Sequence, residues 1–214
     1  MPHDGHDHAQ TFQPDIKEPT QEWEFLEIAL RELLIEKGVV TAREIADTIE
    51  AWEQKTPETG ALIVAKAWSD PQFKARLLAD GNAAVAEIGI VVEGTKLVAV
   101  ENTPELHHMV VCTLCSCYPR PILGIPPLWY KSREYRSRTV REPRAVLAEF
   151  GTDIPEGTAV RVLDSTADIR YLVLPRRPDG TEKMSETELA TLVTRDSMIG
   201  TATALLPNGE RAAA

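Results

Sequence analysis

The sequence predicts an α+β fold, a helical N-terminal arm over residues 20–90 followed by a layered α-β-β-α domain over residues 91–205. Three observations predict it. Between residues 20 and 90 apolar side chains recur at helical spacing between capping signals. From Lys96 onward the pattern changes to short β-prone runs bounded by polar residues and prolines. All three cysteines then fall within six residues, Cys112-Thr-Leu-Cys115-Ser-Cys117, at the end of one such run.

Residues 1–19 are polar, with His3, His6 and His8 among acids and Gly5. They read as a disordered, solvated leader, with metal scavenging as the functional alternative for the histidines. Thr20 is expected to cap a helix to about Lys37, with Trp23, Leu26, Leu30, Leu33 and Leu34 on its apolar face and Gly38 as its stop. Thr41 and Glu44 form a capping box for a second helix carrying Ile45, Ile49 and Trp52. Pro57 ends that helix or begins a segment around Leu62–Trp68. Asp70-Pro71 reads as cap and first position of another helix, with Phe73, Leu77 and Leu78 inside and Gly81 as its stop. The tryptophans of this arm read as packing residues, within the chain or against a partner subunit.

Leu97–Val100 and Met109–Val111 are expected strands, the second delivering Cys112 into a loop that Pro119, Pro121, Pro126 and Pro127 stiffen. Lys131, Arg133, Arg136, Arg138, Arg141 and Arg144 make a basic run, read as a solvated helix face or as pairing sites for acidic groups of a partner. Val160–Leu163 and Ile169–Leu174 read by spacing as a hairpin. Ser185 and Glu188 cap a helix containing Leu189, Leu192 and Val193, and residues 206–214 read as a loose tail.

Composition excludes several classes. A formal net charge of −10 argues against a nucleic-acid partner, because phosphate binding needs a basic surface. No apolar run approaches the roughly 20 residues of a membrane span. The N-terminus lacks the charged flank and apolar core of a secretory signal, so the cytoplasm is the expected compartment. An odd number of cysteines also argues against a disulfide framework.

Three thiols on one tight loop form a soft, multidentate metal trap, since thiolate is the ligand form. If the backbone turns sharply between Cys115 and Cys117, the amide nitrogens of Ser116 and Cys117 lie between the two sulfurs. A planar set of two sulfurs and two nitrogens then results, with Cys112 as axial ligand and one position open. Such a claw suits a trivalent, strongly Lewis-acidic ion. The alternative is a structural Cys3His zinc site with His107 or His108 as fourth ligand, stapling a non-enzymatic binding module. The residues alone leave both open.

Val111-Cys-Thr-Leu-Cys-Ser-Cys117, followed by Tyr118-Pro119 and Pro121-Ile-Leu-Gly124, resembles the metal loop of the nitrile hydratase alpha subunit. Glu101–Pro104, Pro126–Lys131, Tyr135–Arg138, Leu147–Gly151, Asp164–Ala167, Arg170-Tyr171 and Leu192–Gly200 resemble the same family. The resemblance implies a lyase, a nitrile hydratase that hydrates C≡N to a carboxamide. It implies non-corrin cobalt(III) rather than iron(III), since Thr113 resembles the cobalt type. By the same resemblance Cys112, Cys115, Ser116 and Cys117 hold the metal, with Cys115 as sulfinic acid and Cys117 as sulfenic acid. Cys117 and Ser116 would carry the reaction, with either the Cys117 sulfenate or a metal-held hydroxide as nucleophile. A beta subunit would complete the active site. Two departures touch the substrate. Arg120 stands where most nitrile hydratases have tryptophan, and it is similar to the thiocyanate hydrolase gamma subunit there, which makes thiocyanate the alternative substrate. Glu93-Gly94 stands where many members have Gln-Gly. Arg120 is therefore the candidate for substrate selection, and Arg170 the candidate donor toward the oxidised sulfurs.

Overall fold

The computed structural model describes residues 20–212. The expected leader over residues 1–19, with its histidines, lies outside them. The chain divides into two compact units, Met1–Ile49 and Glu50–Ala214.

In the first unit, α1 spans Glu22–Glu36. Its cap falls on Gln21 rather than Thr20, because the Glu24 carboxylate reaches back to accept from the Gln21 N–H at 2.8 Å and the Thr20 N–H at 2.6 Å. Trp23, Phe25, Leu26, Leu30 and Leu33 of α1 are exposed. Helix α2, Ala42–Glu53, opens on the expected Thr41–Glu44 box: the Glu44 N–H donates to the Thr41 hydroxyl, and the Glu44 carboxylate accepts from the Thr41 N–H.

The second unit takes in much of the expected arm. Helices α3 (Pro57–Ser69), α4 (Pro71–Ala79) and α5 (Gly81–Ala86) bury Ile63, Val64, Phe73, Leu77 and Val85 in its core. Each such side chain stabilises by roughly 1.5–3 kcal/mol, so the boundary expected at residue 90 does not separate this core. Pro57 and Pro71 sit at helix starts, where a missing N–H costs nothing. Asp70 caps α4 as expected, accepting from Gln72 and Phe73. Gly81 is a start rather than a stop: Asp80 caps α5, and a Cβ on Gly81 would stand 2.4 Å from the Leu97 carbonyl oxygen. Glycine lets α5 lie directly on the first strand.

Four strands follow: β1 (Lys96–Glu101), β2 (Leu106–Val111), β3 (Ala159–Asp164) and β4 (Ile169–Leu174). They form two parallel pairs, β1 with β4 and β2 with β3. The hairpin expected of β3 and β4 is therefore wrong. Each strand finds its partner in the 96–111 segment: the Ser165 N–H donates to the Val111 carbonyl, and the Lys96 N–H to that of Asp168. The short link 165–168 thus crosses between sheets, a step that strand spacing cannot reveal. Between β2 and β3 lie α6 (Arg120–Leu123), α7 (Leu128–Lys131), α8 (Arg133–Arg141) and α9 (Pro143–Glu149). Helices α4 and α5 cover the β1/β4 pair, that pair meets β2/β3, and α8 and α9 close the far side. The α+β class and its α-β-β-α layering follow.

Helix α10, Glu186–Ala190, keeps its Ser185–Glu188 box but ends before Leu192, which with Leu189 and Ala65 forms a small cluster of its own. Helix α11, Arg195–Ile199, ends on Gly200 at φ 85°, where a Cβ would lie 2.0 Å from the His108 carbonyl oxygen. The tail over residues 206–214 was expected to be loose, but its described part, to residue 212, folds back, with Leu205 bridged to Arg211 and the Ala212 N–H donating to the Ala204 carbonyl; the last two residues of the tail lie outside the described part.

Candidate metal centre

Strand β2 ends in Val110-Val111, and these and the following Cys112 are all buried, so the loop leaves a fixed frame. The sulfurs of Cys112, Cys115 and Cys117 lie within 4.8 Å of one another. Cys112 and Cys115 Sγ are 3.5 Å apart, and Cys115 and Cys117 Sγ 3.2 Å. All three are free thiols, Cys112 buried, Cys117 half-buried and Cys115 exposed.

The loop also turns its amides inward. Cys115 N–H donates to Cys112 Sγ at 3.3 Å. Burial of Cys112 opposes its ionisation, but the amides of Cys115 and Cys117, the Cys115 thiol and the amide of Leu114 face its sulfur and together bring the thiol down to about 7. Burial and the neighbouring sulfurs push Cys117 up to about 12, against the pull of Arg170. Soft sulfur donors with inward amides fit a late transition metal.

His107 and His108 do not join them. The His107 Nε2–H donates to the Gly200 carbonyl at 2.8 Å, and its Nδ1 meets the Asn102 amide at 3.2 Å. Asn102 Oδ1 accepts the His108 N–H at 2.8 Å and lies 3.2 Å from its Nδ1. Both rings are buried and held by this network, leaving the Cys3His zinc arrangement without its fourth ligand.

The loop is held from three sides. Asp164, at the end of β3, accepts from both the N–H and the hydroxyl of Thr113. Arg136 of α8 donates to the carbonyls of Leu114 and Cys115, at 3.3 and 3.1 Å. Tyr130 of α7 donates to the Cys117 carbonyl at 2.8 Å and packs edge-on against Tyr118, centroids 5.1 Å apart. Sequence reading missed these three as site residues. Asp164 stands 51 positions from the residue it holds, and no local periodicity marks such a partner. The basic run accordingly divides: Arg136 holds the loop, Arg138 pairs with Glu142 and Glu149, and Arg144 donates to the Ile154 carbonyl. Arg133 and Arg141 are exposed.

An open cleft of about 390 Å³ adjoins the loop, its walls including Glu93, Cys115, Cys117, Arg120 and Arg170. Ser116 lines it too. Arg170 holds the backbone carbonyls of Thr166, Ala167 and Ile169, fixing its charge beside Cys117.

Residues 21–202 match the family model for the nitrile hydratase alpha chain. This chain belongs to the nitrile hydratase alpha family. The cobalt-containing nitrile hydratase subunit alpha of Pseudonocardia thermophila is 54% identical over 175 residues, 80% of this chain and 86% of the relative. The thiocyanate hydrolase subunit gamma of Thiobacillus thioparus is 45% identical over 197 residues, 86% of this chain and 81% of that one. Among solved structures, a double mutant of the Fe-type nitrile hydratase from Comamonas testosteroni Ni1 superposes with a TM-score of 0.83 at 46% identity, covering 91% of this chain and 97% of its own. An arginine-to-tryptophan mutant of thiocyanate hydrolase gives 0.84 at 41% identity, covering 92% and 96%. The resemblance carried by the Cys-Thr-Leu-Cys-Ser-Cys loop thus extends over nearly the whole nitrile hydratase alpha fold.

Proposed function

We propose that this chain is the alpha subunit of a nitrile hydratase and adds water across a C≡N group to give the carboxamide. The convergence of three sulfurs on one loop, with amides turned inward, carries this reading. Cys112, Cys115 and Cys117, with the main chain of Ser116 and Cys117, hold the metal, and the cobalt-containing relatives favour cobalt(III). Bound there, cobalt supplies a Lewis acid that draws electron density from the nitrile carbon.

The chain's own groups do the rest. Cys112 provides a buried thiolate that stays unmodified. Cys115 and Cys117, nearer solvent, take the sulfinic and sulfenic states. A sulfenate on Cys117 offers a nucleophilic oxygen at the cleft, and Arg170 holds positive charge beside it. A beta subunit completes the cleft, and the apolar face of α1 (Trp23, Leu26, Leu30) docks on that partner. Among the described residues no helix is long and apolar enough to cross a membrane.

Arg120 favours a second reading. Arg120 lines the cleft, an arginine suits a polar nitrile or the thiocyanate anion, and the gamma subunit of thiocyanate hydrolase is among the relatives. The test is to co-express the chain with its beta partner in cobalt medium and to measure metal content, the mass of the cysteine peptide and turnover. Cobalt, two added oxygens on Cys115, one on Cys117, and amide as product are expected. Carbonyl sulfide and ammonia from thiocyanate as main products would replace the hydratase by the hydrolase. Zinc with unmodified thiols would reject both.

A further inference from the structure

Arg120 lines two clefts. One adjoins the metal loop; the other, smaller, is walled by Trp52, Lys55, Pro121, Gly124 and Ile125. Its guanidinium carbon stands 5.7 Å from the centroid of the Trp52 ring, within cation–π range. The backbone fixes both partners. Arg120 is the first residue of α6, behind Pro119, where the chain has little freedom. Gly124 closes that helix at φ 68°, and a Cβ there would lie 2.2 Å from the Lys55 carbonyl oxygen. The chain three residues beyond Trp52 is thus pressed against the end of the helix that carries Arg120.

An arginine at a cleft mouth ordinarily samples many rotamers. A ring beneath the guanidinium on one side removes some of that freedom, and Trp52 is 56% exposed, so burial alone does not explain its placement. We infer that Trp52 is a positioning residue that holds the Arg120 guanidinium at the mouth of the metal-loop cleft, and that the pair selects for substrates carrying negative charge beside the C≡N group. This rests on the reading of Arg120 as facing the substrate. Lys55, on the same small cleft, adds a second positive charge to the approach.

The test uses the assembled, metal-loaded enzyme and a matched pair of substrates, cyanoacetate and its neutral isostere cyanoacetamide. Trp52→Leu, which keeps apolar bulk without a π face, raises KM for cyanoacetate roughly 2- to 5-fold, the range of an exposed cation–π contact. It leaves kcat, and both constants for cyanoacetamide, unchanged. Trp52→Phe stays within about twofold of the parent. Calorimetric titration of propionate, an anion with no C≡N bond, gives a Kd that moves in parallel without turnover. Arg120→Ala raises both anion constants at least as far, and Trp52→Leu adds nothing in that background. Trp52→Met serves if the leucine variant does not assemble. If Arg120→Ala shifts the anion constants and Trp52→Leu does not, the positioning role is lost while the reading of Arg120 stands. If Arg120→Ala itself has no effect, both fall. An equal loss on the charged and neutral substrates makes Trp52 structural and overturns the inference.

Discussion

Asp164 accepts two hydrogen bonds from Thr113, from the backbone N–H at 2.9 Å and from the hydroxyl at 2.6 Å. A carboxylate at the end of β3 thereby fixes the first turn of the cysteine loop against the strand beside it. Asp164→Asn keeps the shape but replaces one acceptor oxygen with a donor and removes the charge that strengthens both bonds. Groups of this kind typically change metal affinity 10- to 100-fold, and a fall of about tenfold in cobalt retention is expected. Metal content after competition with a chelator checks it; unchanged retention would show the clasp to be dispensable.

Tyr130→Phe removes the donor to the Cys117 carbonyl while leaving the aromatic packing around Tyr118 and Tyr135 in place. The expected loss of stability is about 1 kcal/mol, read as a lower denaturation midpoint. Chelator-driven cobalt release should quicken as well, because the freed carbonyl belongs to a proposed ligand residue.

Gly200→Ala places a Cβ against the His108 carbonyl oxygen at a positive φ. Strain at such a position costs about 1–3 kcal/mol before the clash is counted. A fall in Tm of roughly 5 °C or more follows at the usual proportion for a chain of this size. Gly180, also at positive φ but with open space around its Cβ position, is the control: Gly180→Ala should cost less.

The histidine network makes stability sensitive to mild acid. Burial first, and the Arg144 charge in the same direction, hold His107 below its ordinary 6.5, against the favourable bond to Gly200. His108 is lowered as well, chiefly by burial. The unfolded chain therefore binds these protons at higher pH than the folded one, and stability rises with pH. The contribution is complete above the ordinary value and is lost as pH falls through the lowered folded values. A proton on His107 Nδ1 would also face the Asn102 N–H₂, donor against donor. Thermal unfolding between about pH 7 and 5 should show Tm falling toward acid, and a flat profile would contradict the assigned tautomers.

Much of the fold was legible because local chemistry announces itself. The Thr41–Glu44 and Ser185–Glu188 boxes and the Asp70-Pro71 start all appear at their expected positions. Their partners stand three residues or fewer away, so a pattern in the chain suffices. Strand existence was legible too, from short β-prone runs bounded by polar residues and prolines, while strand partnership was not. Val160–Leu163 and Ile169–Leu174 look like neighbours, yet each pairs in parallel with a strand some 50–70 residues earlier. Nothing in two short apolar runs encodes which edge they will meet.

The sequence by itself determined that three thiols gather into one soft donor cluster, since three cysteines within six residues cannot fold far apart. Only the tertiary structure decided what surrounds them. It took His107 and His108 out of reach of the sulfurs and into a network with Asn102 and Gly200. It also brought Asp164, Arg136 and Tyr130 onto the loop and laid Trp52 beside Arg120. The physical reason is separation along the chain: a ligand set closed within one turn is fixed by covalent reach, whereas the residues that orient it meet only after the two strand pairs and their helices have packed.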